Sequence, residues 1–220
     1  MAAVAEGEAM MAMGDGEVIQ ERSRGTRRRA VLAAPALLLA ARARAEEGDF
    51  SFRVMRRGEQ VGTHTVHFAQ AGRERVATSE FLVVPRVLGI VVYRFEHRYE
   101  EVTEGGRFRR VTSRLNRNGR IVEVRGEAVA GAVLLDGTEG PQRLPAEAAP
   151  LSWWEPQRLG RVPIFGTTTG KLLAITWEVG REARVCHGEV EAVARYDAAG
   201  RWVGFSARGE DGNDIEYAPA

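Results

Sequence analysis

From Phe50 onward the 220-residue chain repeats with a period of two, and that alternation restricts its fold more than any other feature. Phe50, Phe52 and Val54 fall on one side of an extended segment, with Ser51 and Arg53 on the other. Successive side chains of a strand point to opposite faces, so such a run reads as a strand with one buried face. Gly62, His64, Val66 and Phe68 oppose Thr63, Thr65 and His67 in the same way. Val91, Tyr93, Phe95, His97 and Tyr99 oppose Val92, Arg94, Glu96, Arg98 and Glu100. Glycines punctuate the pattern at Gly58, Gly72, Gly105, Gly119, Gly180, Gly200 and Gly212. Short strands with regular turn signals argue against alternating strands and helices. The expected fold is all-β: a curved antiparallel meander or incomplete β-barrel of about ten to twelve strands with one short helix.

One hairpin can be placed in register. Asn118-Gly119 is a strong two-residue turn signal, because both residues accept the positive φ of a type I′ turn. It sets Leu115 opposite Val122, Arg114 opposite Glu123, Ser113 opposite Val124, Thr112 opposite Arg125 and Arg110 opposite Glu127. Apolar groups then collect on one face and opposite charges pair on the other. A slip by one residue would put charge against the core.

The alternation lapses between Gly137 and Arg161, in "GTEGPQRLPAEAAPLSWWEPQRLGR". Ser152 followed by Glu155 has the spacing of a capping box, with Pro156 in the turn it would open. The expectation is a short helix that plugs or covers the sheet and carries Trp153 and Trp154. Neighbouring helical positions point about 100° apart, so one tryptophan should be core and the other rim.

His64 and His97 lie on the apolar faces of their strands, the latter beside Tyr99. A buried imidazole needs a hydrogen-bond partner, for which an interior Glu or Tyr would serve. His64, His97, Tyr99, Trp153 and Trp154 are therefore the candidate ligand-binding residues, as core groups or as polar and aromatic fixtures of a cavity. No catalytic residue, metal ligand or cofactor is assigned. "GTTTGK", Gly166 to Lys171, has three residues between its glycines and Leu172 after the lysine. A phosphate loop needs four, then serine or threonine, so this stretch reads as a hairpin turn. Cys186 and His187 are adjacent on a predicted strand, point to opposite faces and cannot act as a thiol–base pair. Glu210 to Asp214 gathers carboxylates without the spacing of a calcium loop and reads as a turn at Asp211-Gly212. No serine sits in a nucleophile elbow.

Ahead of the strands, Ala30 to Ala41 is an apolar run of twelve residues broken only by Pro35. A spanning helix needs about twenty such residues. The run instead fits the core of an export signal, with Arg27, Arg28 and Arg29 before it and Ala43-Arg44-Ala45 as an A-x-A cleavage site. Arg28, Arg29, Val31 and Leu32 resemble a twin-arginine signal. Residues 1–25 read as a disordered preamble or a mis-assigned start, residues 26–45 as the cleavable signal and residues 46–220 as a single β domain. Residues 1–45 hold seven arginines and five acidic residues, so their removal turns the net charge of +1 into −1. Near-neutrality gives no reason to expect nucleic acid as partner. Cys186 is the one cysteine, which excludes an intrachain disulfide. The expected partners are the export machinery and a small apolar ligand, in a periplasmic or otherwise exported location, with no membrane span in the processed chain.

The order "MRRGEQVGTHTVHF", "VVYRFEHRYEEVTEGGRFRRVTSRLNRNGR", "SWWEP" and "RYDAAGRWVGFSARGEDGNDIEY" resembles an exported bacterial family, domain of unknown function 6134, over residues 50–217. Its shared pieces are turns and aromatic strand positions, which imply a fold and carry no chemistry. Val102 departs from the pattern, which places tryptophan after "YEE". At fold level alone, size and meander also look similar to open β-barrels that carry lipids across the periplasm. The expected function is binding or carriage of a small apolar or amphipathic ligand in the cell envelope. The alternatives are a structural or assembly protein of the envelope with a filled core, and a hydrolase using His64 or His97.

Overall fold

The computed structural model describes residues 48–88, 90–208 and 214–220. The export residues Arg28, Arg29, Ala43 and Ala45 and the turn at 210–213 lie outside the described residues.

The alternating faces become strands β1 (Phe50–Arg56), β2 (Glu59–Ala71) and β3 (Glu74–Val83). Next come the two-residue strands β4 (Arg86–Val87) and β5 (Ile90–Val91). Long strands resume with β6 (Phe95–Glu104), β7 (Arg107–Arg117) and β8 (Arg120–Val129). Then follow β9 (Ala132–Asp136), β10 (Gln142–Leu144), β11 (Ala149–Pro150) and β12 (Ile164–Phe165). The chain finishes with β13 (Ile175–Val179), β14 (Ala183–Gly188), β15 (Ala192–Tyr196), β16 (Trp202–Arg208) and β17 (Asp214–Pro219).

Thirteen of these form one antiparallel sheet, in the order β10-β9-β8-β7-β6-β3-β2-β1-β17-β16-β15-β14-β13. The sheet is not closed. In its interior β1 pairs with β17, which sets Phe52 opposite Pro219 and Val54 opposite Tyr217. The Asn118-Gly119 hairpin adopts the expected register pair for pair, from Leu115 with Val122 to Arg110 with Glu127. Both turn residues have positive φ, 51° and 89°.

Three expectations need correction. The sheet holds thirteen strands, not ten to twelve, because β9, β10 and β13 to β15 are short. The run that was expected to start at Val91 starts instead at Phe95, since Ile90 and Val91 leave the sheet to pair with Val87 and Arg86. No helix occurs among the described residues. Ser152 to Arg161 is a chain of four-residue turns that share their end residues, closed by amides of Glu155, Arg158 and Arg161 on carbonyls of Ser152, Glu155 and Arg158. The capping box fails because its side chains are used elsewhere. The Ser152 hydroxyl donates to the carboxylate of Glu101, and Glu155 accepts from Arg75 and Gln157.

Residues 145–173 pack against the inner face of the sheet, tied to themselves by a parallel pairing of β11 with β12. One core cluster includes Phe50 of β1, Val111 of β7, Leu135 of β9, Cys186 of β14 and Ala194 of β15, together with Trp153, Trp154, Leu159 and Phe165 of this inner segment. Val102, the departure from the family pattern, is itself fully buried.

Candidate functional site

Two hairpins place the same pair of residues in the same geometry. In the β2–β3 pair, His64 Nε2 lies 2.9 Å from Ser79 Oγ, and in the β6–β7 pair, His97 Nε2 lies 2.9 Å from Ser113 Oγ. In each case the serine sits two residues along from the direct cross-strand partner, Phe81 for His64 and Leu115 for His97. Both histidines face inward and are buried, as their place on the apolar faces predicted. Their partners are serines, where the sequence suggested Glu or Tyr. Burial, with a smaller push from the neighbouring His97 charge, lowers His64 to a pKa of about 3. Burial lowers His97 to about 4, partly opposed by the carbonyl of Thr167. Both rings are neutral near pH 7.

The hydroxyl of Ser113 donates to the Thr167 carbonyl at 2.6 Å, so His97 Nε2 is left as the donor to Ser113. That carbonyl belongs to the Gly166–Lys171 stretch, which is a turn: the Gly166 amide meets the Lys171 carbonyl, and Phe165 bridges Leu172. His64 Nδ1, by contrast, is buried with no hydrogen-bond partner. An unsatisfied buried ring nitrogen is costly unless something outside the protein pairs with it.

A cavity of about 390 Å³ lies between these pairs and the inner segment, bordered by His64, His97, Tyr99, Trp153, Phe81 and Tyr217. Four of the five predicted residues thus come together. Trp154 does not line it; its indole stacks on Tyr99 with ring centres 5.5 Å apart and meets Phe68 edge-on. Trp153 points the other way, to Phe205 and Trp177. The two tryptophans diverge as adjacent positions should, yet both are buried, so the expected division into core and rim is replaced by two different walls. A broader hollow of about 620 Å³ extends over the outer side of β3, β6, β7 and β8, where Glu80, Arg98, Arg114, Glu123 and Arg125 mix both charges.

Behind Tyr99 sits a charge network that sequence reading missed. Glu101 is fully buried, accepts the Ser152 hydroxyl at 2.5 Å and pairs with Arg158, whose other amino group donates to the Gly106 carbonyl at 3.2 Å. Glu155 accepts from Arg75 at 2.6 Å, and Arg75 also covers the ring of Phe68. Burial raises the pKa of Glu101 despite the opposing pull of Arg158. The network fixes the inner segment to β3 and β6.

Cys186 is buried, which pushes its thiol up to about 12, while exposed His187 pairs with Glu191 and Glu178. The two residues face opposite ways, as expected of strand neighbours. Among the described residues no group of three His, Cys, Asp or Glu side chains is arranged to hold a metal. No described helix is long and apolar enough to cross a membrane.

Residues 52–220 match the family model described as Domain of unknown function (DUF6134). No curated protein and no solved structure matches the chain.

Proposed function

Since the chain belongs to the DUF6134 family, whose description assigns no activity, we propose from the cavity alone that the protein binds or carries a small amphipathic ligand. One observation carries this reading: a space of about 390 Å³, walled largely by aromatic rings, is lined by two residues with unpartnered buried polar atoms, His64 Nδ1 and Thr169 Oγ1. Small-molecule sites typically occupy about 300–1,000 Å³ and combine apolar lining with a few polar groups that fix orientation. A ligand with an apolar body and one hydrogen-bonding head group matches both features. An open sheet wrapped on its own core, a half-barrel in effect, leaves such a space at an inner edge. The export-like residues 26–45 support an envelope location, periplasmic or otherwise exported.

What speaks against His97 as the base of a hydrolase is the state of its serine. A nucleophilic hydroxyl must give its proton to the imidazole, and Ser113 gives it to Thr167. The reading of a filled structural core draws support from the Glu101–Arg158 network, and the two readings part on ligand content. Native mass spectrometry of protein purified from its own envelope should find a non-covalent mass that leaves on unfolding. His64→Leu should weaken uptake of an apolar probe bearing a hydroxyl head group about tenfold, the worth of roughly one hydrogen bond. Absence of both adduct and probe binding would refute carriage.

A further inference from the structure

Residues 84–94, between β3 and β6, leave the main sheet and form their own ladder, with Arg86 opposite Val91 and Val87 opposite Ile90. The tip is apolar and bare: Leu88 is 97% exposed, Ile90 69%, Val92 56% and Val91 41%. Leu82 and Ile121, also exposed, lie on the flanking strands at the same end. Soluble surfaces scatter such residues singly, and a cluster on one projecting element marks a contact site. Leu88 has φ of 50°, a left-handed conformation that glycine or asparagine adopts with less strain, so the backbone holds an aliphatic side chain outward at a cost.

The surroundings say what that tip meets. The Asn118 amide donates to the Arg94 carbonyl at 2.9 Å, and the Arg94 amide donates to Asn118 Oδ1 at 2.8 Å, which brings the Arg117–Arg120 turn alongside. The Val84 amide on the Val61 carbonyl places the β1–β2 turn at the same end. Residues 56–59, 84–96 and 117–120 hold six arginines, Arg56, Arg57, Arg86, Arg94, Arg117 and Arg120, against Glu59 and Glu96. Aliphatic side chains on a narrow tip, with cations set behind them, complement a layer of anionic headgroups over hydrocarbon.

We propose that the β4–β5 hairpin is a membrane-docking element that inserts Leu88, Ile90 and Val92 into an anionic lipid surface while the arginines behind it engage the headgroups. Phe81, two residues before the end of β3, and Phe95, the first residue of β6, flank this connection and also border the cavity, so docking would bring its rim to the lipid. Docking does not depend on the cavity holding a ligand, and the two are tested separately.

The test is co-sedimentation of the purified chain with phosphatidylcholine vesicles, with and without a one-third share of phosphatidylglycerol. The chain should pellet with the anionic vesicles only, and added salt should release it. Leu88→Asp/Ile90→Asp should reduce anionic-vesicle binding at least about tenfold at an unchanged unfolding midpoint, since both side chains project into solvent. Arg86→Glu/Arg120→Glu should reduce it similarly. A Leu88→Trp variant should shift its emission to the blue with anionic vesicles and be quenched by brominated lipid, a readout that needs no loss of binding. No pelleting, equal pelleting with both vesicle types, or an unquenched tryptophan at 88 would overturn the proposal.

Discussion

Glu101 and Arg158 are 57 residues apart in the chain and meet as an ion pair inside the core, with 0% and 8% of their side chains exposed. The pair is the point at which an irregular segment is committed to one place on a regular sheet. Desolvation of two charges offsets most of their attraction, so its contribution lies in position more than in net stability.

That balance makes an unequal set of mutants. Arg158→Leu leaves Glu101 buried without its cation and should lower the unfolding free energy by ~3–5 kcal/mol. Adding Glu101→Leu should recover much of the loss, because the orphaned charge goes with it. Urea titrations of the three variants check this; strict additivity of the two single losses would contradict it.

The histidines give the fold a pH dependence with a definite sign. Their folded pKa values, about 3 for His64 and about 4 for His97, lie below the unfolded value. The unfolded chain therefore binds protons that the folded chain refuses, and stability falls as pH drops below about 6.5. The two together should remove about 4 kcal/mol between roughly pH 7 and pH 5. Glu101 works in the opposite sense, since its raised pKa favours proton uptake by the folded state. Denaturation at several pH values should show the fall, and His64→Gln/His97→Gln should flatten it.

Two glycines should respond to alanine very differently. A Cβ on Gly62 would lie 1.9 Å from the Leu82 carbonyl oxygen, so β2 and β3 would have to separate. Gly62→Ala should cost on the order of 3 kcal/mol or more. A Cβ on Gly119 meets nothing within 4 Å, leaving only the penalty of its positive φ, about 1 kcal/mol. Paired thermal melts decide it, and equal losses would argue against the close β2–β3 approach.

Trp153 and Trp154 should separate binding from folding. Trp154 stacks on Tyr99 away from the cavity, so Trp154→Ala should cost ~3–5 kcal/mol and leave probe affinity in the surviving folded fraction unchanged. Trp153 borders the cavity, and the milder Trp153→Phe should weaken uptake of an apolar fluorophore by more than it lowers the melting midpoint. Identical effects of the two substitutions on uptake would sink the distinction.

Local signals carried far in this chain. Asn118-Gly119 specified a turn, and the turn specified every pair from Leu115–Val122 to Arg110–Glu127. The alternation that placed His97 and Tyr99 inward would, taken one step further, have placed Glu101 inward as well. Its acidity argued for the outside, and only the distant Arg158 makes the inside tolerable. Ser79 and Ser113 were equally readable as inward positions, but a serine alone gives no sign of the histidine it will meet on the next strand. The helix expected at Ser152 failed for the same reason: its capping residues were claimed by Glu101 and Arg75, partners that no local window contains.

Among the described strands β1 is synthesised first and β17 last, yet they are hydrogen-bonded neighbours in the interior of the sheet. That interior seam is therefore the last to be stitched. Until then β1 keeps one edge bare, a row of free amides and carbonyls open to any other extended chain. The interval between the emergence of Arg56 and that of its partner Ile215 is when this protein is most exposed to pairing with the wrong molecule.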